Sequence, residues 1–302
     1  MAAVISEDHI EQIVIQEFID LGYSYVNGAD ISPEGITQER EFDEVVLKQR
    51  LQAAISKLNP NVPFEAQEEA VKKLLRTNSP NLFQNNYDVH KYLTDGVDVE
   101  YRQGDRIVGD KVWLIDYDNP TNNEFLVVNQ FTIIEENTNK RPDIILFVNG
   151  IPLVVIELKN AVDENATVKS AYKQLETYKA TIPSLFTYNS ILVISDGLEA
   201  KSGSLSAGFS RFLSWKTSDG VNLASRLDTE LEVLLKGQLN PHTLLDLIRF
   251  FIVFEKNKKE DLKTGLVTIE TVKKVAAYHQ YYAVNKAVES SVKASQENGD
   301  RK

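Results

Sequence analysis

The apolar positions of the first segment recur at helical spacing. In residues 7–21 (EDHIEQIVIQEFIDL), apolar side chains recur at helical spacing, and Gly22 follows as a stop signal; they are Ile10, Ile13, Val14, Phe18 and Leu21. The same pattern predicts further helices over 40–58, 64–76 and 165–181.

Strand patterns occupy the middle of the chain. The apolar and β-branched runs predict strands at 97–101, 107–117, 125–134, 144–148, 153–156 and 190–197. Because a helix lies between the last two strands, the order favours an α/β fold, a mixed sheet flanked by helices. After about residue 240 the pattern is helical again, apart from a charged break at 256–263 (KNKKEDLK) and a polar tail, SQENGDRK.

Three ionisable residues stand at the margin of the most apolar hairpin, RPDIILFVNGIPLVVIELKN (141–160). Glu157 and Lys159 are two apart, so on a strand they point to the same face. Asp143 starts the neighbouring strand, and a tight hairpin at Asn149-Gly150 brings these margins together. Two close carboxylates favour a cation between them, and hard oxygen ligands with open positions suit Mg²⁺. Lys159 would then assist phosphodiester hydrolysis.

The register of the hairpin tests this metal site. A two-residue loop pairs Val148 with Ile151, and a regular ladder then pairs Asp143 with Ile156, which sends Glu157 to the other face. The site therefore requires a three-residue loop or one bulge, and Pro152 favours such an irregularity. The alternative is a salt-bridged charge cluster where strands emerge into solvent.

Composition limits the classes of protein. The 302 residues are 42% hydrophobic and 25% charged, and the absence of cysteine excludes disulfides, thiolate zinc sites and cysteine nucleophiles. The longest apolar segment, at 244–254, is too short to span a bilayer, and the amino terminus does not resemble a signal peptide; we expect a cytoplasmic protein without a membrane partner. The net charge of −11 means that DNA binding would need a local groove or partner proteins. The alternative is an acidic protein with no polyanionic ligand.

A second motif, QLETY, places Gln174 and Tyr178 on one helix face, although a partly exposed helix surface would explain this pair equally well. With LIDYDNPTNNEFLVVNQF, the hairpin and ILVISDG, it makes an ordered series that strongly resembles the amino-terminal nuclease region of type I restriction enzyme R subunits. The resemblance runs from SEDHIEQIVIQEFIDLGYSYV through RLQAAISKLNP to VAAYHQYYAVNKAV, nearly the whole chain.

This resemblance implies a restriction-endonuclease-like fold and a PD-(D/E)xK endonuclease joined to an ATP-driven DNA-translocating motor. It implies that Asp143 and Glu157 hold Mg²⁺, that Lys159 is the catalytic lysine, and that Gln174 and Tyr178 support the site. The implied partners are double-stranded DNA and the modification and specificity subunits. Residues 1–240 would form the nuclease domain, and 241–302 a helical linker to the motor.

Two acidic residues of the first helix, Glu7 and Glu11, also match the family. Glu11 is a candidate third carboxylate of the site, but a solvent-facing position on the helix is the simpler expectation.

No GxxxxGK[ST] loop occurs in the sequence, so ATP would be used by the absent motor and not bound by this chain. We therefore expect the front piece of a longer protein. The alternatives are a stand-alone repair nuclease of the same fold and a non-catalytic interaction domain of a large DNA-processing complex.

Overall fold

The core of the protein is a six-stranded mixed sheet. The computed structural model describes residues 7–160, 167–225, 227–260 and 267–296. In spatial order the strands are β1 (Ser24–Asn27), β4 (Phe125–Asn129), β7 (Ile144–Val148), β8 (Ile151–Leu158), β9 (Ile191–Ser195) and β10 (Ala200–Gly203). The pairs β1–β4 and β8–β9 are parallel, and the other neighbours are antiparallel.

Among the described residues, three two-stranded hairpins lie outside this sheet. They are β2 (Val97–Gln103) with β3 (Arg106–Val112), β5 (Ile133–Glu135) with β6 (Thr138–Lys140), and β11 (Ile252–Glu260) with β12 (Val267–Val275).

Helices flank the sheet, which confirms the predicted α/β class. They are α1 (Glu7–Asp20), α2 (Lys48–Leu58), α3 (Phe64–Leu75), α4 (Leu82–Asp95), α5 (Val168–Thr181), α6 (Pro183–Thr187), α7 (Glu230–Gln238), α8 (Pro241–Phe250) and α9 (Tyr278–Ser295). Helix α1 gives way to a turn at Gly22, whose φ of +95° suits glycine, and a capping box at Thr167 begins α5.

Strands β7 and β8 are buried at every position, as expected of central strands. Helix α1 packs against β1, β4 and β8, whereas α5 packs against β8 and β9. Both helices therefore approach β8, the strand that carries Glu157.

The β7–β8 hairpin contains a bulge, one of the two irregularities that the metal site would require. Phe147 pairs with Pro152, but the next pair is Leu146 with Val154, so Leu153 is the extra residue. The shifted register continues to Ile144 opposite Ile156 and brings Asp143 level with Glu157.

Several element boundaries differ from the sequence prediction. The helix expected over 40–58 begins only at Lys48, because the Arg40 guanidinium is buried and donates to the carbonyl oxygens of Glu44, Phe42 and Thr132, which holds this segment outside helical geometry. The strand expected over 107–117 ends at Val112. The strand expected over 125–134 is broken at Gln130, whose φ is +54°.

The sequence prediction left out several elements, among them β1, α4, α6, β10 and α7. Helix α4 was not predicted, because its sequence is rich in polar residues; the Asn81 side chain caps it. The prediction that residues after 240 are helical is wrong for β11 and β12, which form a hairpin, and Lys273 of β12 is almost fully buried. Parts of three predicted segments lie outside the described residues: 165–166, 261–263 and 297–302.

Candidate active site

Asp143 and Glu157 meet at the bulged end of the hairpin. The backbone N–H of Leu158 donates to Asp143 Oδ2 at 2.6 Å, which fixes the aspartate beside the end of β8. The Glu157 side chain is fully buried, while Asp143 is partly exposed. The site thus opens to solvent on the Asp143 side.

The two carboxyl groups have strongly perturbed acidity. Burial raises the pKa of Asp143, and the negative charges of Glu11 and Glu7 raise it further. Burial and the nearby Asp143 carboxylate also raise the pKa of Glu157. The pair therefore binds protons more tightly than isolated carboxyl groups do, and its members titrate together.

Lys159 lies on the same face as Glu157, as its spacing predicted. Its Nζ is 3.0 Å from Glu157 Oε1 and 3.8 Å from Glu7 Oε1. Burial lowers the pKa of Lys159, but the charges of Glu157, Asp143 and Glu7 outweigh that effect and raise it above its usual value. The side chain is therefore an ammonium at neutral pH, able to stabilise negative charge.

Gln174 and Tyr178 face this cluster from α5. Gln174 Nε2 donates to Tyr178 Oη at 2.6 Å, and that hydroxyl donates to the carbonyl oxygen of Arg141 at 3.4 Å. Burial raises the pKa of Tyr178, and the nearby charges of Glu157 and Asp143 raise it further. The structure therefore brings all five predicted residues together, whereas their roles remain predictions.

Glu11 corrects one expectation. It does not face solvent: it is 6% exposed, and it accepts hydrogen bonds from Asn129 Nδ2 and Gln130 Nε2. The left-handed backbone of Gln130 turns its side chain toward this carboxylate. Sequence reasoning missed both amide residues, because their role depends on α1 packing against the end of β4.

The donor atoms fit a hard divalent cation. Glu157 Oε2 is buried and accepts no hydrogen bond from the described residues, so a carboxylate oxygen is left for another ligand. Among those residues, no group of three or more histidine, cysteine, aspartate or glutamate side chains has a metal-holding arrangement. Two carboxylates suit Mg²⁺, which usually keeps several water ligands and takes substrate phosphate oxygens. Asp143 and Glu157 are the residues that would hold it.

A mixed α/β sheet with two carboxylates and a lysine at one strand end is typical of the restriction-endonuclease-like class. The chain belongs to the family described as the type I restriction enzyme R protein N terminus, whose model matches residues 4–211.

Relatives support this family across the whole chain. The type I restriction enzyme HindI endonuclease subunit of Haemophilus influenzae is 44% identical over 99% of this chain. A Methanocaldococcus jannaschii protein with the provisional name type I restriction enzyme MjaIXP endonuclease subunit is 32% identical over 97% of it. In both cases the chain spans 28% of the relative's length. Within the described ranges, no helix has the length and apolar character needed to cross a membrane.

Proposed function

We propose that this chain carries the Mg²⁺-dependent DNA endonuclease site of a type I restriction enzyme, acting in the cytoplasm. The main support is the convergence of Asp143, Glu157 and Lys159 at the bulged end of β8, with Glu157 Oε2 buried and without a hydrogen-bond donor among the described residues. The relatives' names as endonuclease subunits support the same function.

In this mechanism each residue has a separate task. Asp143 and Glu157 would hold Mg²⁺, which when bound polarises a backbone phosphate of DNA. Lys159, kept protonated by the surrounding carboxylates, stabilises charge that develops on the phosphate and orients the attacking water. Gln174 and Tyr178 are joined by a hydrogen bond. They support the site on the Asp143 side, where Tyr178 donates to the backbone of Arg141.

The remaining partners come with the proposed restriction complex. Double-stranded DNA is the substrate, and the modification and specificity subunits select where the complex acts. ATP would be used by a motor region that lies outside this sequence, since the chain contains no phosphate-binding GxxxxGK[ST] loop.

The direct test is plasmid nicking by the full-length subunit assembled with its partner subunits. Asp143→Asn and Lys159→Met should each reduce the rate by at least about a hundredfold, since each removes a group that stabilises transition-state charge. Asp105→Asn, at the exposed β2–β3 turn, is the matched control and should cut normally. Undiminished nicking by a folded Asp143→Asn complex would favour the non-catalytic interaction domain instead.

A further inference from the structure

Arg141 is an exposed basic residue beside the candidate site. It follows β6 directly and precedes Asp143 by two positions. No carboxylate among the described residues lies within ion-pair distance of its guanidinium. The charge of Arg141 is thus available to a ligand.

The hydrogen bonds of α5 hold Arg141 beside the site. Its carbonyl oxygen accepts the hydrogen bond from Tyr178 Oη, and the same Oη accepts from Gln174 Nε2. The charge of Arg141 also acts on the phenol: it lowers the pKa of Tyr178, in opposition to burial and to the carboxylates. The backbone of Arg141 is therefore hydrogen-bonded to Tyr178, and its charge acts on the same phenol.

The charges around the candidate site make an arginine without an ion pair important for DNA binding. The catalytic candidate Lys159 is also a cation, but it already contacts the carboxylates of Glu157 and Glu7. A DNA strand that enters an acidic site in a chain of net charge −11 needs positive charge that is not already matched. A guanidinium presents a planar pair of donors that fits a phosphate group.

We propose that Arg141 binds a DNA backbone phosphate adjacent to the one that is cut, on the Tyr178 side of the site. This inference rests on the proposed nuclease function. Arg141 would hold the strand in place, while Lys159 acts at the scissile phosphate. The contact carries no base information, because phosphates are the same at every sequence.

The affinity of the protein for plain duplex DNA, measured without divalent cations, tests this contact separately from catalysis. For Arg141→Gln we expect about tenfold weaker binding at low salt. The slope of log affinity against log salt should become shallower by about 0.9, the change for one lost phosphate contact. Arg141→Lys should keep the slope but lose part of the affinity, since it retains the charge without the planar fork.

The matched control is Arg102→Gln, an exposed arginine on the separate β2–β3 hairpin, which should leave affinity and slope unchanged. Thermal unfolding establishes that each variant is folded. The proposed contact would be overturned if Arg141→Gln and the unchanged protein had the same DNA affinity and the same salt slope. It would also be overturned if neither protein bound DNA at low salt. A wrong proposal of nuclease function would give a different result, namely nicking that Asp143→Asn does not reduce.

Discussion

The buried carboxyl pair makes stability of the metal-free protein depend on pH. The folded-state pKa values of Asp143 and Glu157 are raised, so the folded state holds protons that the unfolded state has already released. The stabilisation from these protons is present below the ordinary carboxyl pKa and is lost as pH rises through the folded-state values. A cation that replaces those protons would restore stability.

Glu157→Gln tests this relation. Because glutamine resembles the protonated acid, the variant should be more stable than the metal-free protein at neutral pH, by roughly 1–3 kcal/mol. It should also lose the rise in Tm and the calorimetric binding that Mn²⁺ gives the unchanged protein. Thermal unfolding with and without Mn²⁺ measures both effects, with the exposed Glu100→Gln as control. Equal Mn²⁺ binding by Glu157→Gln would remove the metal site.

Tyr178→Phe tests whether the hydrogen-bonded Gln174–Tyr178 pair on α5 supports the site. The variant loses the hydroxyl that accepts from Gln174 and donates to Arg141, so cleavage should fall roughly tenfold, while ATP-driven translocation by the full-length subunit is unchanged. Plasmid nicking and ATP consumption separate the two. Tyr172→Phe on the same helix is the control, since its hydroxyl contacts Ala207 instead. Loss of both activities in Tyr178→Phe would indicate misfolding.

At the scale of elements, Lys273 anchors the β11–β12 hairpin to α4 and to the segment before β9. Its buried Nζ donates to Asn86 Oδ1 of α4 at 2.9 Å and to the carbonyl oxygen of Asn189 at 2.6 Å. Burial lowers its pKa to about 7. A neutral amine has two N–H donors, which match these two acceptors. Burial lowers the pKa of the neighbouring His90 to about 3, and the charge that Lys273 carries below about pH 7 contributes to this shift.

The anchor predicts a pH dependence of opposite sign to that of the carboxyl pair. Between about pH 7 and its ordinary pKa, Lys273 is protonated only in the unfolded state, so the free energy of unfolding rises with pH. Lys273→Met should remove this rise. Denaturant unfolding across that pH range measures the free energy of unfolding of each variant. The control is Lys274→Met, because Lys274 is exposed and pairs with Glu255. An unchanged slope in Lys273→Met would show that the amine stays charged in the folded protein.

At the scale of the whole molecule, charge limits what the chain does alone. With a net charge of −11 it offers few phosphate contacts, so its DNA affinity should be weak and salt-sensitive. We expect little or no cleavage by the 302-residue chain at physiological salt, even with the modification and specificity subunits. Adding the motor region and ATP should restore cutting that depends on Lys159.

Plasmid nicking is measured for the chain alone, for the chain with the modification and specificity subunits, and after the motor region and ATP are added. Lys159→Met in the complete complex is the control. Efficient, site-specific cutting by the chain alone would contradict it and favour the stand-alone nuclease.

The sequence by itself determined the α/β class, the β7–β8 hairpin and the requirement that a metal site there needs either a three-residue loop or a bulge. These features follow from local rules, since alternation along a strand and the geometry of a two-residue turn fix which side chains share a face. The proximity of Asp143, Glu157 and Lys159 was predictable for the same reason, because all three lie within one hairpin.

Only the tertiary structure decided how the distant segments join this hairpin. Glu11 is buried because α1 packs across the strand ends, and Lys273 is buried because α4 supplies an acceptor for its amine. Nothing in a local pattern distinguishes such residues from solvated charges, since their burial depends on partners far along the chain. The free charge of Arg141 is likewise visible only once its neighbours are known.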